Sequence, residues 1–307
     1  MEPNYTHLPN KRVSEMTLFN TRPAMGTQRF QRLVDHIGQT FIIAFRENTE
    51  ELRATLSCSG LTCDVLRQQH RPEYATYSRS FLCLLNHRSA WELASRATDP
   101  TLIVEADFVP VANFGQLPVS FNPDTPDLGI AWLYTCAPQV YRIDQAGYAT
   151  GYSTSMVAYV VSPRSARFLM QVADDVAQDP GPRQYTPWDS GLEYALRDQG
   201  FVNYVPFRNY GEHGGLPNPE HRQNRLSPTH RADVLYGPLS FQPFYAQAAE
   251  MGRPSVWNYF QGRLYGRVKG LGRLALGKYL RVPVLKSAKQ PLPLAWFALR
   301  RQLTWML

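Results

Sequence analysis

Short runs of apolar and β-branched residues alternate along this chain with stretches whose apolar positions recur at helical spacing, and this alternation restricts the fold more than any other feature. Strand candidates fall at 16–20 (MTLFN), 41–45 (FIIAF), 62–66, 102–104, 129–134 (GIAWLY), 157–161 (VAYVV) and 202–207 (VNYVPF). Helical patterns occupy 25–37, 80–96 (SFLCLLNHRSAWELASR), 165–176 and 190–198. Strands separated by helices imply an α/β fold with a mostly parallel sheet and helices on both faces. In such sheets ligands bind beyond the carboxyl ends of the strands.

At 307 residues and 44% hydrophobic, the chain can bury a large core. Its four cysteines lie at 58, 63, 83 and 136, and the one close pair, Cys58 and Cys63, has no matching pair downstream. Neither a zinc ribbon nor a disulfide framework is expected. The opening MEPNYTHLPNKR contains no apolar leader segment, and no apolar run is long enough to cross a bilayer. The expectation is a soluble, cytoplasmic protein in a reducing compartment.

The net charge of +7 is unevenly spread. From 251 to 307 there are eleven Lys and Arg and no Asp or Glu, whereas residues 1–250 hold 21 basic against 25 acidic side chains. This division predicts a mildly acidic body at 1–250 and a basic, aromatic, helical extension at 251–307 suited to an anionic surface. Within 262–281, Leu264, Val268, Leu271 and Ala275 fall on one helical face with Arg263, Lys269 and Arg273 off it. Five glycines, at 262, 266, 270, 272 and 277, weaken that helix. Trp296, Phe297 and Trp305 beside Arg300 and Arg301 add the residue mixture of a bilayer interface.

The strand at 102–104 runs directly into Glu105-Ala106-Asp107. If the strand continues, residues i and i+2 share a side and the two carboxylates stand together at its end. A solvated strand end or a turn is the plain reading; the chemical one is a site for Mg²⁺ or Mn²⁺, which bind carboxylate oxygens together with substrate phosphates. His87 lies within a helical pattern, where a packed histidine is the common case. Asp189 precedes a capping box in which Ser190 caps and Glu193 reaches back, leaving a carboxylate beside Trp188 available as a general base. His213 and His221 sit in a Gly- and Pro-rich stretch at 211–228 that reads as a long loop, where imidazole is a ready metal or phosphate partner.

Taken in order, Asn86-His87 with Trp91, the strand end Val104-Glu105-Ala106-Asp107, the segment SMVAYVVSPRSARFL at 155–169 and Trp188-Asp189 resemble glycosyltransferase family 25, the lipopolysaccharide sugar transferases related to procollagen galactosyltransferases. The resemblance spans roughly 17–206. Asn86 stands where the family has serine, Ala106 where it has the middle acid of three, and the family's opening motif is reduced to LFNTR at 18–22. The resemblance implies a GT-A-like fold and a nucleotide-sugar donor, with a UDP-sugar foremost. It implies donor contacts from Asn86, His87, Glu105 and Asp107, and an Mn²⁺ or Mg²⁺ ion on Glu105 and Asp107 with His213 as a third ligand. Asp189 is then the base in an inverting transfer to a hydroxyl of a glycan, including a lipid-linked one.

Two other classes compete with that reading. A degenerate, non-catalytic transferase fold would act as an interaction module, and the loss of the middle acid at Ala106 favours it. A nucleic-acid binder would use the basic tail with Trp257, Tyr259, Phe260 and Tyr265. Nucleic acid is the lesser expectation. An anionic membrane is the partner the tail suits better, which would put the protein peripherally at the inner face of a membrane.

Overall fold

The computed structural model describes residues 31–247, 255–288 and 291–303. The expected strand at 16–20, the LFNTR opening, most of the helix expected at 25–37 and Trp305 lie outside them; of the last helix, Leu33–His36 forms a short 3-10 turn.

The strands are β1 (Gln39–Ala44), β2 (Cys63–Arg67), β3 (Thr101–Glu105), β4 (Phe108–Pro110), β5 (Leu128–Trp132), β6 (Gln139–Ile143), β7 (Ala149–Tyr152), β8 (Ala158–Val161), β9 (Val202–Val205) and β10 (Gly211–His213). The α-helices are α1 (Glu50–Cys58), α2 (Arg79–Ala94), α3 (Pro163–Gln178), α4 (Leu192–Asp198), α5 (Pro219–Gln223), α6 (Phe244–Gln247), α7 (Ser255–Ala275), α8 (Val282–Ser287) and α9 (Pro291–Leu303).

Eight strands form one sheet in the order β2-β1-β3-β8-β5-β9-β7-β6, and β4 pairs with β10 in a separate ladder. The pairings make six of the eight strands run one way, with β8 and β7 reversed. By strand direction the sheet is mostly parallel, as the alternation predicts, while the four pairs made by β8 and β7 are antiparallel.

Pleating sends successive side chains of each strand to opposite faces, and each face has its own core. Phe41, Ile43, Ile103, Tyr159 and Val161 join Phe81, Leu84 and Trp91 of α2, Leu169 of α3 and Leu196 of α4 on one face. Ile42, Ala44, Leu102, Val104 and Val160 join Leu52 and Leu56 of α1 on the other. Helices thus cover both faces. Truncating a wholly buried ring such as Trp91 would cost about 3–5 kcal/mol, since the cavity could collapse only in part.

Local sequence fixes several boundaries. Ser78 caps α2 by accepting from the Phe81 N–H at 3.1 Å, and Ser162 and Ser165 form a reciprocal capping box on α3. The capping box expected at Ser190 and Glu193 does not form. Trp188 is buried and its Nε1 donates to the Ser80 carbonyl at 3.0 Å. That anchor holds 188–190 in a 3-10 turn, so α4 starts at Leu192 with Gly191 as its cap, and Glu193 turns inward to Arg197.

The basic extension packs against the sheet-bearing body through unexpected residues. Arg263 of α7 is buried against Glu212, and Arg301 of α9 is buried against Asp233, which also accepts from Asn209 at 2.8 Å. Gly266 and Gly270 of α7 allow the close approach: a Cβ at 266 would strike the Ala232 carbonyl, and one at 270 would lie 2.7 Å from Asp233 Cβ. These glycines, which look like helix weakeners in the sequence, form the ridge by which α7 docks. Placing Arg301 at a bilayer interface is therefore incorrect, because that side chain is sealed in the fold.

Candidate active site

At the carboxyl end of β3 the chain makes a two-residue turn at Ala106 and Asp107 and leads into β4, which belongs to the separate ladder with β10. Glu105 is thus the last residue of the strand and Asp107 lies beyond it. The expected reason for their proximity, a shared strand face, does not hold; the turn brings them together instead. The β4–β10 ladder then adds the third group. His213 pairs with Phe108, the Gly214 N–H donates to the Asp107 carbonyl at 2.8 Å, and His213 Nε2 reaches Asp107 Oδ2 at 3.0 Å. Ligand atoms of Glu105, Asp107 and His213 all lie within 4.8 Å of one another.

The cluster is reachable from outside. Side-chain exposures of 24% for Glu105, 26% for Asp107 and 18% for His213 leave the cluster partly open to solvent. Asp107 Oδ1 and His213 Nδ1 are buried without a hydrogen-bond partner, an expensive arrangement for polar atoms unless a ligand completes it. Gly215 shapes the same spot, since a Cβ there would fall inside contact distance of Asp107 Oδ2 and 3.0 Å from His213 Nε2. Two carboxylates and an imidazole form a donor set that fits Mn²⁺ or Mg²⁺.

The electrostatics of the trio follow from its contacts. Burial opposes a charged His213, but the charge and hydrogen bond of Asp107, helped by Glu105, prevail and raise its pKa to about 9. Burial likewise opposes ionisation of Asp107, and His213 and Arg231 reverse that, holding the carboxyl below its ordinary value. Arg231 also braces the strand, donating to the carbonyls of His213 at 3.0 Å and Gly215 at 3.2 Å while lying over the Tyr245 ring.

His87 has no exposed surface. It cannot touch a donor substrate, which corrects the expectation that it does. Its Nε2 lies 3.1 Å from Glu105 Oε1 and its Nδ1 2.8 Å from the Tyr159 hydroxyl, which also accepts from Trp91 Nε1 at 2.8 Å. An ionised Glu105 only accepts, so Nε2 carries the proton and Nδ1 accepts from Tyr159. Trp91, Tyr159 and His87 thus form a directed chain that fixes Glu105. Cys83, His87 and Glu105 form a second compact group, but both nitrogens of His87 are engaged and burial keeps the Cys83 thiol protonated well above its ordinary range. The outer trio is the better cation site.

Asn86, the neighbour of His87 on α2, faces elsewhere. With Arg67, Gln69, Arg71 and Tyr74 it lines a cavity of about 300 Å³ beside the carboxyl end of β2. A larger cavity of about 430 Å³, lined by Gly38, Thr40, Asp64 and Arg96, opens at the amino ends of β1 and β2, away from the acids.

Asp189, in the 3-10 turn before α4, is near enough to Glu105 to feel its charge. Burial first, and Glu105 second, push its pKa up to about 7. Its only side-chain partner among the described contacts is the Ser190 hydroxyl at 3.4 Å. His221 lies apart from the trio; its Nδ1 is 3.3 Å from Nε2 of His230, whose Nδ1 is 2.9 Å from Cys136 Sγ. The sequence singled out neither Arg231 nor Gly215, although the run His213-Gly214-Gly215 is the visible trace of the tight approach to Asp107.

No family model matches the chain, and no curated protein matches its sequence. Among solved structures, it is similar to a glycosyltransferase involved in the glycosylation of the major capsid of PBCV-1, at 12% identity over 55% of this chain and 82% of that one, with a TM-score of 0.38. It is also similar to a mutant Drosophila β-1,4-galactosyltransferase 7 in complex with manganese, UDP-Gal and xylobiose, at 16% identity over 62% of this chain and 74% of that one, with a TM-score of 0.35. Both overlaps are loose, and the chemistry of the site rests on this chain's own residues.

Proposed function

We propose that this chain is a metal-dependent glycosyltransferase of GT-A-like architecture that moves a sugar from a nucleotide-sugar, foremost a UDP-sugar, to a hydroxyl of a glycan acceptor with inversion. The observation that carries the reading is the meeting of Glu105, Asp107 and His213 at the carboxyl end of β3, with unpartnered polar atoms on two of the three. The ordered motifs that resemble family 25 supply the donor class.

In this reading Glu105, Asp107 and His213 hold the ion. A divalent cation there supplies Lewis-acid neutralisation of the departing nucleoside diphosphate. Trp91, Tyr159 and His87 keep Glu105 aimed, and Arg231 and Gly215 keep Asp107 and His213 at their separation. Asp189 takes the proton of the acceptor hydroxyl as its oxygen attacks the anomeric carbon and the bond to the diphosphate breaks. A base with a pKa near 7 is matched to that task at neutral pH. The cavity walled by Asn86, Arg67, Arg71 and Tyr74 offers donors and a ring to the nucleotide.

The test is to incubate the purified chain with Mn²⁺ and a panel of nucleotide-sugars and to follow nucleoside diphosphate release. One donor should be hydrolysed slowly without acceptor, and Mg²⁺ or Mn²⁺ should be required. No release from any donor, with the protein folded and metal present, would favour the non-catalytic alternative.

A further inference from the structure

The long helix α7 is turned inside out relative to an ordinary surface helix. Its buried positions are Arg263, Gly266 and Gly270, while Val256, Phe260, Leu264, Val268 and Leu271 are exposed by 73%, 43%, 44%, 60% and 41%. Spacings of four, four, four and three place those five on one stripe, with Trp257 and Ala275 beside it. No charged side chain of α7 is among its exposed residues: Arg263 is buried and Arg267, Lys269 and Arg273 are partly covered. A helix face that looks to water normally mixes charges.

The last helix repeats the pattern. Leu294, Phe297, Ala298, Arg301 and Gln302 of α9 are buried, and Leu292, Trp296, Leu299 and Leu303 form an outward stripe with exposures of 80%, 62%, 41% and 61%. The two helices pack together, with Arg267 Nη2 donating to the Gln302 carbonyl at 2.8 Å. Between them Lys278, Arg281 and Lys286 are exposed.

We infer that the outward stripes of α7 and α9 form a surface that docks on an anionic lipid bilayer. Charge complementarity selects that occupant over the others. The stripes lie in a 57-residue segment, 251–307, with eleven Lys and Arg and no acid. A second copy of the chain would bring one acid-free basic segment against another and be repelled. A bilayer carrying phosphate headgroups instead takes the apolar stripes into its interface and pairs its charge with the lysines and arginines around them. Trp257 and Trp296, exposed by 48% and 62%, are the amphipathic rings that such an interface holds. The association inferred is peripheral, through these two surface stripes; no helix among the described residues is long and apolar enough to cross the membrane. This surface is independent of the transfer chemistry, and its failure would leave the active-site reading untouched.

The test is co-sedimentation of the full chain with vesicles of phosphatidylcholine alone and of phosphatidylcholine mixed equally with phosphatidylglycerol, at low and raised salt. Binding to the mixed vesicles, weakened by salt, is expected. The double variant Leu264→Glu with Val268→Glu places two acids on solvent-facing positions and should lower partitioning by ~100-fold or more, through lost apolar burial and added repulsion. Circular dichroism melting of that variant should match the parent. A parent that ignores the mixed vesicles would overturn the inference, as would a folded double variant that binds them equally. So would a parent that is dimeric in solution and becomes monomeric on the double substitution, because the stripes would then be a protein interface.

Discussion

Nε2 of His87 lies 3.1 Å from Oε1 of Glu105, on a ring that has no surface of its own. The contact joins the tightly packed interior of the sheet to the rim where the acids meet, and it explains why a histidine is needed at a fully buried position. His87→Ala should weaken Mn²⁺ binding by about 10–100-fold, the usual loss when a partner behind a metal ligand is removed. Tyr159→Phe should do the same more mildly. Titration with Mn²⁺ monitored by electron paramagnetic resonance reads both, and an unchanged affinity in a folded His87→Ala protein would remove His87 from the site.

Asp189 separates stability from activity. Its folded-state pKa of about 7 exceeds the ordinary 3.8, so the folded chain holds that proton more tightly than the unfolded chain does. The associated stability is full below pH 3.8 and is lost as pH rises through about 7. Asp189→Asn, which cannot ionise, should therefore stabilise the protein at pH 8 by about 1–3 kcal/mol after allowance for partial solvent screening. The same change should lower turnover by about 10²- to 10⁴-fold with donor binding intact. In the parent, turnover should climb with pH through about 7 as the carboxylate forms. Thermal melts of the two proteins at pH 5 and pH 8 with matched turnover profiles check the linkage; a destabilised Asp189→Asn would assign the residue a structural role.

The Arg263–Glu212 pair should show the cost of leaving one buried charge alone. Both side chains are almost wholly buried, and Glu212 Oε1 also accepts from the Ala232 N–H at 2.8 Å and the His213 N–H at 3.1 Å. Arg263→Met should destabilise by about 3–5 kcal/mol, because the carboxylate loses its counter-charge in a dry setting. Since Glu212 adjoins His213, the variant should also lose metal affinity. Chemical denaturation with a parallel Mn²⁺ titration measures the two effects, and loss of neither would show that α7 does not brace the site.

The regular sheet is legible because β1, β3, β5 and β8 bury consecutive apolar side chains, and such runs announce themselves locally. The β6–β7 hairpin is not, because Gln139-Val140-Tyr141-Arg142-Ile143 and Ala149-Thr150-Gly151-Tyr152 mix polar and small residues and are strands only by virtue of their pairing with β9 and each other. β10 looks like loop in the sequence for a similar reason. Gly211-Glu212-His213 has little strand propensity, and its ladder with β4 depends on a partner a hundred residues away. Of the site, the two carboxylates stood out, although for a geometric reason that the turn at Ala106 replaced. His213 was found through residue type and the family resemblance. Arg231 and the directed chain behind Glu105 could not be seen, since contacts among Trp91, Tyr159 and His87 join α2 to β8 and leave no local pattern.

Metal uptake should expel a proton. His213 carries a pKa of about 9 while it pairs with Asp107, and only the neutral ring ligates. Mn²⁺ affinity should therefore rise with pH up to about 9, by nearly tenfold per pH unit where one proton is displaced. Isothermal calorimetry in buffers of different ionisation heat counts the released proton, and an affinity flat between pH 6 and pH 9 would remove His213 from the ligand set.

The most direct test of the central claim is Mn²⁺ binding, with and without UDP, to the intact chain and to Asp107→Asn. Asparagine keeps the shape of the side chain and removes its charge, so folding serves as the internal control. The account predicts one Mn²⁺ per chain, tighter when UDP is present because the diphosphate completes the coordination, and loss of both the site and its coupling to UDP in Asp107→Asn. Equal Mn²⁺ and UDP binding by parent and variant would contradict it.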